Sequence, residues 1–214
     1  MSPLPSSAEV DDRRAELLAR LHDELGEAVE GTHELAGKDL WVRVRTDAWR
    51  EAAEVAEGRL GMTYFCYLAG LDWMPSPFGK GEDDPTQPPP ERSTEIVQGY
   101  AGGSTRFQVL ARVHDVQRMV GLTLKTDVPD DTMAVPSWVP VYAGANWHER
   151  EAWEMFGISF VGHPDLRNLY LPTDFEGHPL RKDFPLLARI VKPWPGIVDV
   201  EPMPADLDGE GGDE

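Results

Sequence analysis

The segment from Asn146 to Pro185 constrains the fold and function of this chain more than any other part of the sequence. It opens with Asn146-Trp-His-Glu-Arg-Glu-Ala-Trp-Glu-Met-Phe-Gly157 and closes with Pro179-Leu-Arg-Lys-Asp-Phe-Pro185, so charged, aromatic and turn-forming residues are concentrated in it. It contains no recognisable nucleophile motif, phosphate-binding loop or metal-ligand cluster. We therefore interpret it as a surface that docks onto another molecule.

The beginning of this segment carries the signals of an α-helix. Asn146 is a predicted N-cap, Glu149 occupies the capping-box position, and Gly157 is placed to end the helix in the left-handed conformation. Arg150 and Glu154 are spaced for an ion pair on one helix face. The sequence thus predicts a capped helix rich in charged and aromatic residues.

The composition indicates a single folded domain that holds no iron–sulfur cluster. A chain of 214 residues with 41% hydrophobic residues can bury a sizeable core. No apolar run approaches the roughly 18 residues of a membrane span, and the N-terminus does not resemble a signal peptide. The single cysteine, Cys66, can neither form an internal disulfide nor hold an iron–sulfur cluster. We therefore expect a cytosolic chain.

The charge distribution predicts two tails around that domain. A formal net charge of −18 argues against binding to nucleic acids and against adhesion to anionic lipids. Acids accumulate after Lys192 among Pro and Gly residues, which predicts an acidic, flexible and solubilising tail over 193–214. The first residues, 1–10, are predicted to be disordered. Residues 11–192 remain as the predicted domain.

Residue periodicity within this domain predicts helices and strands in a mixed order. Helical spacing of leucines predicts a helix from Asp11 to Gly26, and Asp47 is a predicted N-cap for a second helix that ends at Gly58. Alternating and aromatic runs predict strands over 40–45, 64–68, 94–100, 106–114, 120–128, 158–161 and 167–171. The pair Gly102-Gly103 predicts a hairpin turn.

The pattern of these elements predicts an α+β fold. We expect a mostly antiparallel sheet with helices packed to one side and an extended C-terminal docking segment. A doubly wound sheet is disfavoured, because neither regular βαβ alternation nor a glycine-rich phosphate loop is present. Residues 74–93, rich in Pro and Gly, predict a long loop.

Several side chains of the docking segment also allow catalytic or binding interpretations. His148, His163 and Glu151 would form a two-histidine, one-carboxylate metal site, but their spacing matches no metal motif. Glu151 shares a helix face with Glu154, which would suit acid–base chemistry if both were buried. Turn geometry explains the histidines more simply, and capping and ion pairing explain the carboxylates.

A pair of cations near the end of the segment has two interpretations. Arg181 and Lys182 would suit an anionic ligand such as a phosphate. They equally suit a docking point on a protein partner, where Arg is a frequent anchor. We favour docking.

The charged residues of the segment also form a long motif that resembles a known family. The motif comprises Glu149-Arg150-Glu151, Glu154, Met155-Phe156, His163, Arg167, Leu169-Tyr170 and the run Gly177-His-Pro-Leu-Arg181-Lys182-Asp-Phe-Pro-Leu186. It resembles the C subunit of proton-pumping NADH–quinone oxidoreductase, the bacterial respiratory complex I. The likeness extends over roughly residues 40–187.

This resemblance implies a peripheral-arm subunit on the cytoplasmic side of the cell membrane, attached to the membrane indirectly through the complex. It implies packing against the D subunit, which forms the quinone site, and near iron–sulfur subunits. FMN, the iron–sulfur clusters, NADH and quinone would then be bound by partner subunits, and this chain would hold no cofactor and no catalytic residue. The charged motif would shape the docking surface.

Three alternatives remain open at the level of sequence. The chain could be the homologous subunit of a related membrane-bound hydrogenase-type complex. It could be a stand-alone metal-dependent enzyme that uses His148, His163 and Glu151. It could also be an anion-binding module that uses Arg181 and Lys182.

Overall fold

A computed structural model describes residues 5–77 and 91–185 of the chain. Most of the predicted loop over 74–93 and the whole predicted acidic tail over 193–214 lie outside these ranges. The helices are α1 (Ser7–Leu25), α2 (Trp49–Gly58) and α3 (Ala145–Phe156). The strands are β1 (Val29–His33), β2 (Leu40–Val44), β3 (Tyr64–Asp72), β4 (Phe107–Asp115), β5 (Val120–Asp127), β6 (Ala134–Pro136) and β7 (Ser159–Val161).

The first five strands form one mixed sheet in the order β1-β2-β5-β4-β3. The pairs β1–β2, β4–β5 and β3–β4 are antiparallel, and the pair β2–β5 is parallel. Strands β6 and β7 form a separate parallel pair. The prediction of an α+β fold with a mostly antiparallel sheet is therefore confirmed.

A single hydrophobic core holds the helices against the sheet. Leu40, Val42 and Val44 on β2 are buried, whereas the intervening Trp41 and Arg43 are partly exposed, so one face of the strand points into the core. Buried residues of all three helices belong to the same hydrophobic cluster. The helices thus cover the apolar face of the sheet. Within the described ranges, no helix is long and apolar enough to cross a bilayer.

Helix α1 begins at Ser7, earlier than the predicted start at Asp11. The hydroxyl of Ser6 accepts a hydrogen bond from the Glu9 N–H, and the Glu9 carboxylate accepts one from the Ser6 N–H. This capping box satisfies donors that a helix start otherwise leaves free. The prediction of disorder over 1–10 is therefore wrong for residues 7–10, which are helical.

Helix α2 has no side-chain cap, so the predicted N-cap role of Asp47 is wrong. A short 3-10 turn, Thr46–Ala48, leads directly into the helix. The Asp47 carboxylate accepts hydrogen bonds from the guanidinium of Arg45 instead. An adjacent cation thus competes successfully with the helix N-terminus for this carboxylate.

Two predicted strands and one turn are absent. Residues 94–100 and 167–171 form no strand, and Gly102-Gly103 is not a hairpin turn, because β4 pairs with β3 and β5 instead. Strand β1 was not predicted, since its sequence Val-Glu-Gly-Thr-His lacks an apolar alternation. Its side chains alternate between partly exposed and exposed at the edge of the sheet. Core packing therefore places little constraint on which residues occupy this strand.

Strand β3 approaches α3 closely at Gly70. A Cβ at this position would lie 2.7 Å from a ring carbon of Phe156 and 3.2 Å from the Cδ1 of Ile158. Both neighbours are buried. Gly70 therefore allows the helix that carries the charged motif to rest against the sheet.

We expect Gly70→Ala to lower the free energy of unfolding by about 1–3 kcal/mol, because overpacking forces the helix and strand apart. Gly58→Ala is the matched control, since a Cβ there meets no atom within 4 Å. It should leave stability unchanged or raise it by up to about 1 kcal/mol. Urea denaturation measures both. Equal stability of the two variants would show that the approach at Gly70 is not tight.

Candidate functional site

Helix α3 and the chain that follows it contain all the predicted site residues. Glu149, Arg150, Glu151 and Glu154 lie on α3, and His163 follows β7. The remaining residues, Arg167, Arg181 and Lys182, lie in non-strand segments that return to the helix.

Glu149 is fully buried and does not cap its helix. Helix α3 begins at Ala145 after Gly144, with no side-chain cap, so the predicted N-cap role of Asn146 and the capping-box role of Glu149 are wrong. The Glu149 carboxylate accepts one 2.6 Å hydrogen bond from the Ser137 hydroxyl and another from the Trp138 N–H. It therefore anchors the loop before α3 rather than the helix start.

Burial dominates the ionisation of this carboxyl group. Desolvation raises the pKa of Glu149 to about 7, against the lowering effect of the hydrogen bonds from Ser137 and Trp138 and of the nearby Arg50. Glu149 is thus a carboxyl group that changes charge near neutral pH inside the protein.

Arg150 and Glu154 do not pair with each other, contrary to the predicted ion pair. The Arg150 guanidinium donates to the backbone carbonyls of Arg167 (3.1 Å) and Asn168 (3.0 Å). Both side chains are buried, with 8% of Arg150 and 5% of Glu154 exposed. Each binds the backbone of the returning chain.

Glu154 binds three consecutive backbone groups of that chain. Its carboxylate accepts hydrogen bonds from the N–H groups of Leu169 (3.2 Å), Tyr170 (3.0 Å) and Leu171 (2.8 Å). Residues 167–171 thus have side chains of α3 as hydrogen-bonding partners where the predicted strand would have had another strand. We call the contacts of Arg150 and Glu154 with residues 167–171 the α3 clamp.

The C-terminal end of α3 is covered by residues 178–181. His178 Nδ1 lies 2.8 Å from the carbonyl oxygen of Glu154, the Leu180 N–H donates to Met155, and Arg181 Nε donates to Phe156. These carbonyls belong to the last turn, which has no partners within the helix. Gly157 has a φ of 75°, so its predicted left-handed role is confirmed.

Arg106 attaches the end of the returning chain to the sheet. Its guanidinium forms paired hydrogen bonds with Asp72 and with Asp183. The Lys182 N–H also donates to Asp72, at 2.8 Å. Burial raises the pKa of Asp72, but the hydrogen bonds from Arg106 and Lys182 outweigh it, so the pKa lies below its ordinary value. The Arg106–Asp72 pair is a partly buried anchor.

The histidines are not assembled into a metal site. His163 Nδ1 accepts from the Asp165 N–H, so Nε2 is the atom that donates to the Asn146 carbonyl. His148 Nδ1 lies 3.1 Å from the Leu68 carbonyl oxygen. Across residues 5–77 and 91–185, no group of three His, Cys, Asp or Glu side chains is placed to hold a metal ion. The hypothesis of a metal site at His148, His163 and Glu151 finds no support in this geometry.

The predicted cation pair is also divided. Arg181 is committed to the end of α3, and its guanidinium lies 5.2 Å from the centre of the Phe107 ring. Lys182 is exposed and contributes its backbone N–H to Asp72. Arg167 forms an exposed ion pair with Asp165 at 2.9 Å. Arg181 and Lys182 therefore do not form a joint anion site.

The buried polar contacts leave large apolar side chains facing solvent. Their exposed fractions are 66% for Trp147, 62% for Val161, 62% for Tyr170, 40% for Phe175 and 50% for Leu180. We call these five residues the exposed apolar set. Trp147 lies on α3 and Val161 ends β7, whereas Tyr170, Phe175 and Leu180 belong to the returning chain. Backbone hydrogen bonds to Glu154 and Met155 hold Tyr170 and Leu180 in place.

Three residues that build this region were missed by sequence reasoning. No sequence motif marks Ser137 as a partner of Glu149, because only the fold brings the two side chains together. Asp72 and Arg106 could have been found from strand pairing, since Asp72 is registered opposite Phe107, the neighbour of Arg106. A correct pairing of β3 with β4 was the missing step.

The raised pKa of Glu149 predicts a pH-dependent stability. The pKa of Glu149 in the folded protein, about 7, exceeds the ordinary value of 4.5. The contribution of Glu149 to the free energy of unfolding is therefore full below about pH 4.5 and is lost as pH rises to about 7. In Glu149→Gln, the amide can accept from the Trp138 N–H and donate to Ser137. This variant should therefore lack that dependence, with a slope difference of up to about 1.4 kcal/mol per pH unit.

Urea denaturation of both proteins between about pH 5 and pH 8 measures the difference. Comparison with the variant removes the contribution of the other titrating groups. Parallel pH profiles would mean that Glu149 is ionised in the folded protein throughout this range.

Comparison with known proteins agrees with the motif. Residues 42–189 match the family described as "Respiratory-chain NADH dehydrogenase, 30 Kd subunit". The C subunit of the NADH-quinone oxidoreductase of Brucella ovis is 48% identical over 91 residues, which are 42% of this chain and 45% of that protein. The joint C/D subunit of the Cronobacter sakazakii enzyme is 42% identical over 88 residues, 41% of this chain and 15% of that protein. The chain therefore spans less than half the length of these relatives.

Two solved structures share the fold. A trypsin-resistant fragment of Nqo5 has a TM-score of 0.50 at 22% identity and covers 70% of this chain and 99% of its own. A chain of the membrane-bound sulfane sulfur reductase, an archaeal respiratory membrane complex, has a TM-score of 0.57 at 20% identity and covers 82% and 88%. At these identities the likeness concerns the fold. The family match extends over most of the chain, and the protein belongs to the 30 kDa subunit family of the respiratory-chain NADH dehydrogenase, which is the C subunit of complex I.

Proposed function

We propose that this chain is a non-catalytic structural subunit in the peripheral arm of proton-pumping NADH–quinone oxidoreductase. The observation that carries the proposal is the division of α3 into two roles. Its charged motif residues Glu149, Arg150 and Glu154 are buried and bound to the chain's own backbone, whereas Trp147 is exposed on the same helix. A buried charge bound in this way positions structure, and an exposed tryptophan is a typical interface anchor.

We propose the exposed apolar set as the docking surface of the subunit. Large apolar side chains gain free energy by leaving water, at about 25 cal/mol per Å² of buried apolar area. The α3 clamp holds Tyr170 in place before any partner arrives, so little conformational entropy is lost on docking. This preorganisation supports a role in assembly rather than in chemistry.

The proposed partner is the D subunit of the complex, the one that forms the quinone site. In Cronobacter sakazakii the relative is named as a joint C/D subunit, and the match with this chain occupies only 15% of it. Fusion of two subunits keeps them at high effective concentration, an arrangement that suits subunits in contact. Iron–sulfur subunits nearby are the second proposed partners.

Within such a complex the cofactors would belong to companion subunits. We assign FMN, NADH, the iron–sulfur clusters and quinone to those subunits. For the clusters, the reason is that one cysteine in 214 residues cannot supply the ligands. The proposed location is the cytoplasmic side of the cell membrane, reached through the complex and not by direct lipid contact. The net charge of −18 fits indirect attachment.

A homologous subunit of a related membrane-bound, hydrogenase-type complex is the second candidate. The fold likeness to the archaeal sulfane sulfur reductase complex supports it. Purification of the tagged chain from its native membrane, followed by mass spectrometry, separates the two. Flavin- and NADH-binding companions support the first candidate, and hydrogenase-like companions without them support the second.

Trp147→Ala combined with Tyr170→Ala should reduce the yield of assembled complex at least about tenfold, because interface anchors of this kind contribute about 2 kcal/mol or more each. The unfolding free energy of the isolated subunit should change by less than about 0.5 kcal/mol, since both side chains are exposed. Native-membrane purification measures the yield, and urea denaturation measures the stability.

Tyr100→Ala is the matched control for that double variant. Tyr100 is 54% exposed and stacks on His33 of β1, at the opposite edge of the sheet from β3 and α3. It should assemble like the unmodified chain. A normal yield for the double variant, or an equal loss for Tyr100→Ala, would contradict the proposed surface.

Glu154→Ala should release residues 169–171 while the sheet stays folded. Three backbone N–H groups would lose their acceptor, which leaves them to water or unpaired at a cost of about 1–3 kcal/mol each when buried. Hydrogen exchange by mass spectrometry should show faster exchange at these amides and unchanged exchange in β3, β4 and β5. The yield of assembled complex should also fall in this variant.

Glu151→Ala tests whether the effect belongs to the α3 clamp. Glu151 lies on the same helix and is only partly buried, and its side chain makes no hydrogen bond within the described residues. In Glu151→Ala, hydrogen exchange at residues 169–171 and the yield of assembled complex should match those of the unmodified chain. Similar exchange in both variants would show that Glu154 does not hold the returning chain.

A further inference from the structure

A cleft far along the chain from the docking surface gathers arginines on an acidic protein. It has a volume of about 560 Å³ and lies where α1, the end of α2 and the β4–β5 turn meet. Its lining includes Arg20 of α1, Arg59 after α2, and Arg118 of the turn, together with Leu60 and Val116. Arg20 precedes residues 42–189, the part that matches the family, so the cleft is not a feature of that match alone.

The three guanidinium groups are positioned but not saturated. Arg20 donates to the carbonyl of Arg59 at 2.5 Å, and Arg59 binds the carboxylate of Glu24. Arg118 Nε lies 3.7 Å from Asp115, which is too long for a hydrogen bond. Each guanidinium has five N–H donors, so most donors at the cleft have no partner among the described residues.

The acids at the cleft do not cancel this charge. Asp115 is committed to the turn, because its Oδ1 accepts the N–H groups of Gln117 and Arg118 at 2.9 Å each. Arg13 lies outside the lining and near Glu9, and its guanidinium donates to the Arg118 carbonyl at 2.6 Å. The three arginines of the lining thus face the two carboxylates of Glu24 and Asp115. This local excess of positive charge stands against a chain of net charge −18.

We propose that this cleft binds a small multivalent anion that carries phosphate or carboxylate groups. Guanidinium groups present planar pairs of donors that match the oxygens of both groups. The volume falls in the range of small-molecule sites, about 300–1,000 Å³. The site is separate from the docking surface and goes beyond the structural role proposed above.

The charge of the protein favours a small anion over an acidic macromolecule. A large polyanion would meet the acidic surface around the cleft and would be repelled by it. A small anion inside the cleft interacts mainly with the adjacent arginines, because charges beyond about 8 Å are screened at physiological salt. The apolar side chains of Leu60 and Val116 leave room for a short carbon skeleton between the charged groups.

Isothermal titration calorimetry of the full chain with pyrophosphate, and separately with citrate, tests this site at fixed ionic strength in a chloride buffer. At least one of them should bind saturably with Kd below about 1 mM. Arg118→Gln and Arg59→Gln should each weaken binding at least about tenfold, since each removes a charged donor pair. Tighter binding of pyrophosphate assigns phosphate chemistry, and tighter binding of citrate assigns polycarboxylate chemistry.

Arg45→Gln is the matched control, because the Arg45 side chain is 47% exposed, as Arg118 is 51% exposed, and it pairs with Asp47 away from the cleft. It should bind the anion like the unmodified chain. Melting temperatures measured without anion show whether each variant is folded, and the two cleft variants provide independent readings. Absence of saturable binding, or equal weakening by Arg45→Gln, overturns the proposal.

Discussion

The carboxylate of Glu154 accepts three consecutive backbone N–H groups, and the arrangement of the C-terminal third depends on this contact. An extended segment must find partners for its donors and acceptors, usually in a neighbouring strand. Residues 167–171 lie beside a helix instead, where no backbone group is available for a ladder. Glu154 supplies the acceptors and Arg150 supplies donors for the two carbonyls upstream. Two side chains of one helix therefore do what a strand would do in a sheet.

Burying the charged groups of Arg150 and Glu154 has a desolvation cost. A buried charge loses its hydration, and this loss is offset only when nearly every lone pair or proton finds a partner. Arg150 and Glu154 offset part of this loss with hydrogen bonds to the backbone of residues 167–171. Glu149 binds the Ser137 hydroxyl and the Trp138 N–H, but burial still raises its pKa to about 7. The chain is thus fixed to α3 while Trp147 and Tyr170 remain exposed, which is what an interface prepared before assembly requires.

Sequence reasoning found the elements that are governed by local chemistry. The amphipathic spacing of α1, the alternation of β2, the buried β5 and the left-handed Gly157 all follow from nearest neighbours, and the fold class followed from them. The errors arose where distant residues compete for the same group. Glu149 looked like a capping residue until Ser137 and Trp138 came into reach, and 167–171 looked like a strand because its partners are side chains. The motif identified the family, but the hydrogen-bond partners of its charged residues became known only from the fold.

The central claim is that the exposed apolar set is built before assembly and buried by it. Hydroxyl-radical footprinting of the chain, first isolated and then within the purified native complex, measures this directly. We expect strong oxidation of Trp147 and Tyr170 in the isolated chain and strong protection of both in the complex. Oxidation of Val116, an exposed residue of the β4–β5 turn outside the exposed apolar set, should not change. Equal oxidation of Trp147 and Tyr170 in the two states would contradict it.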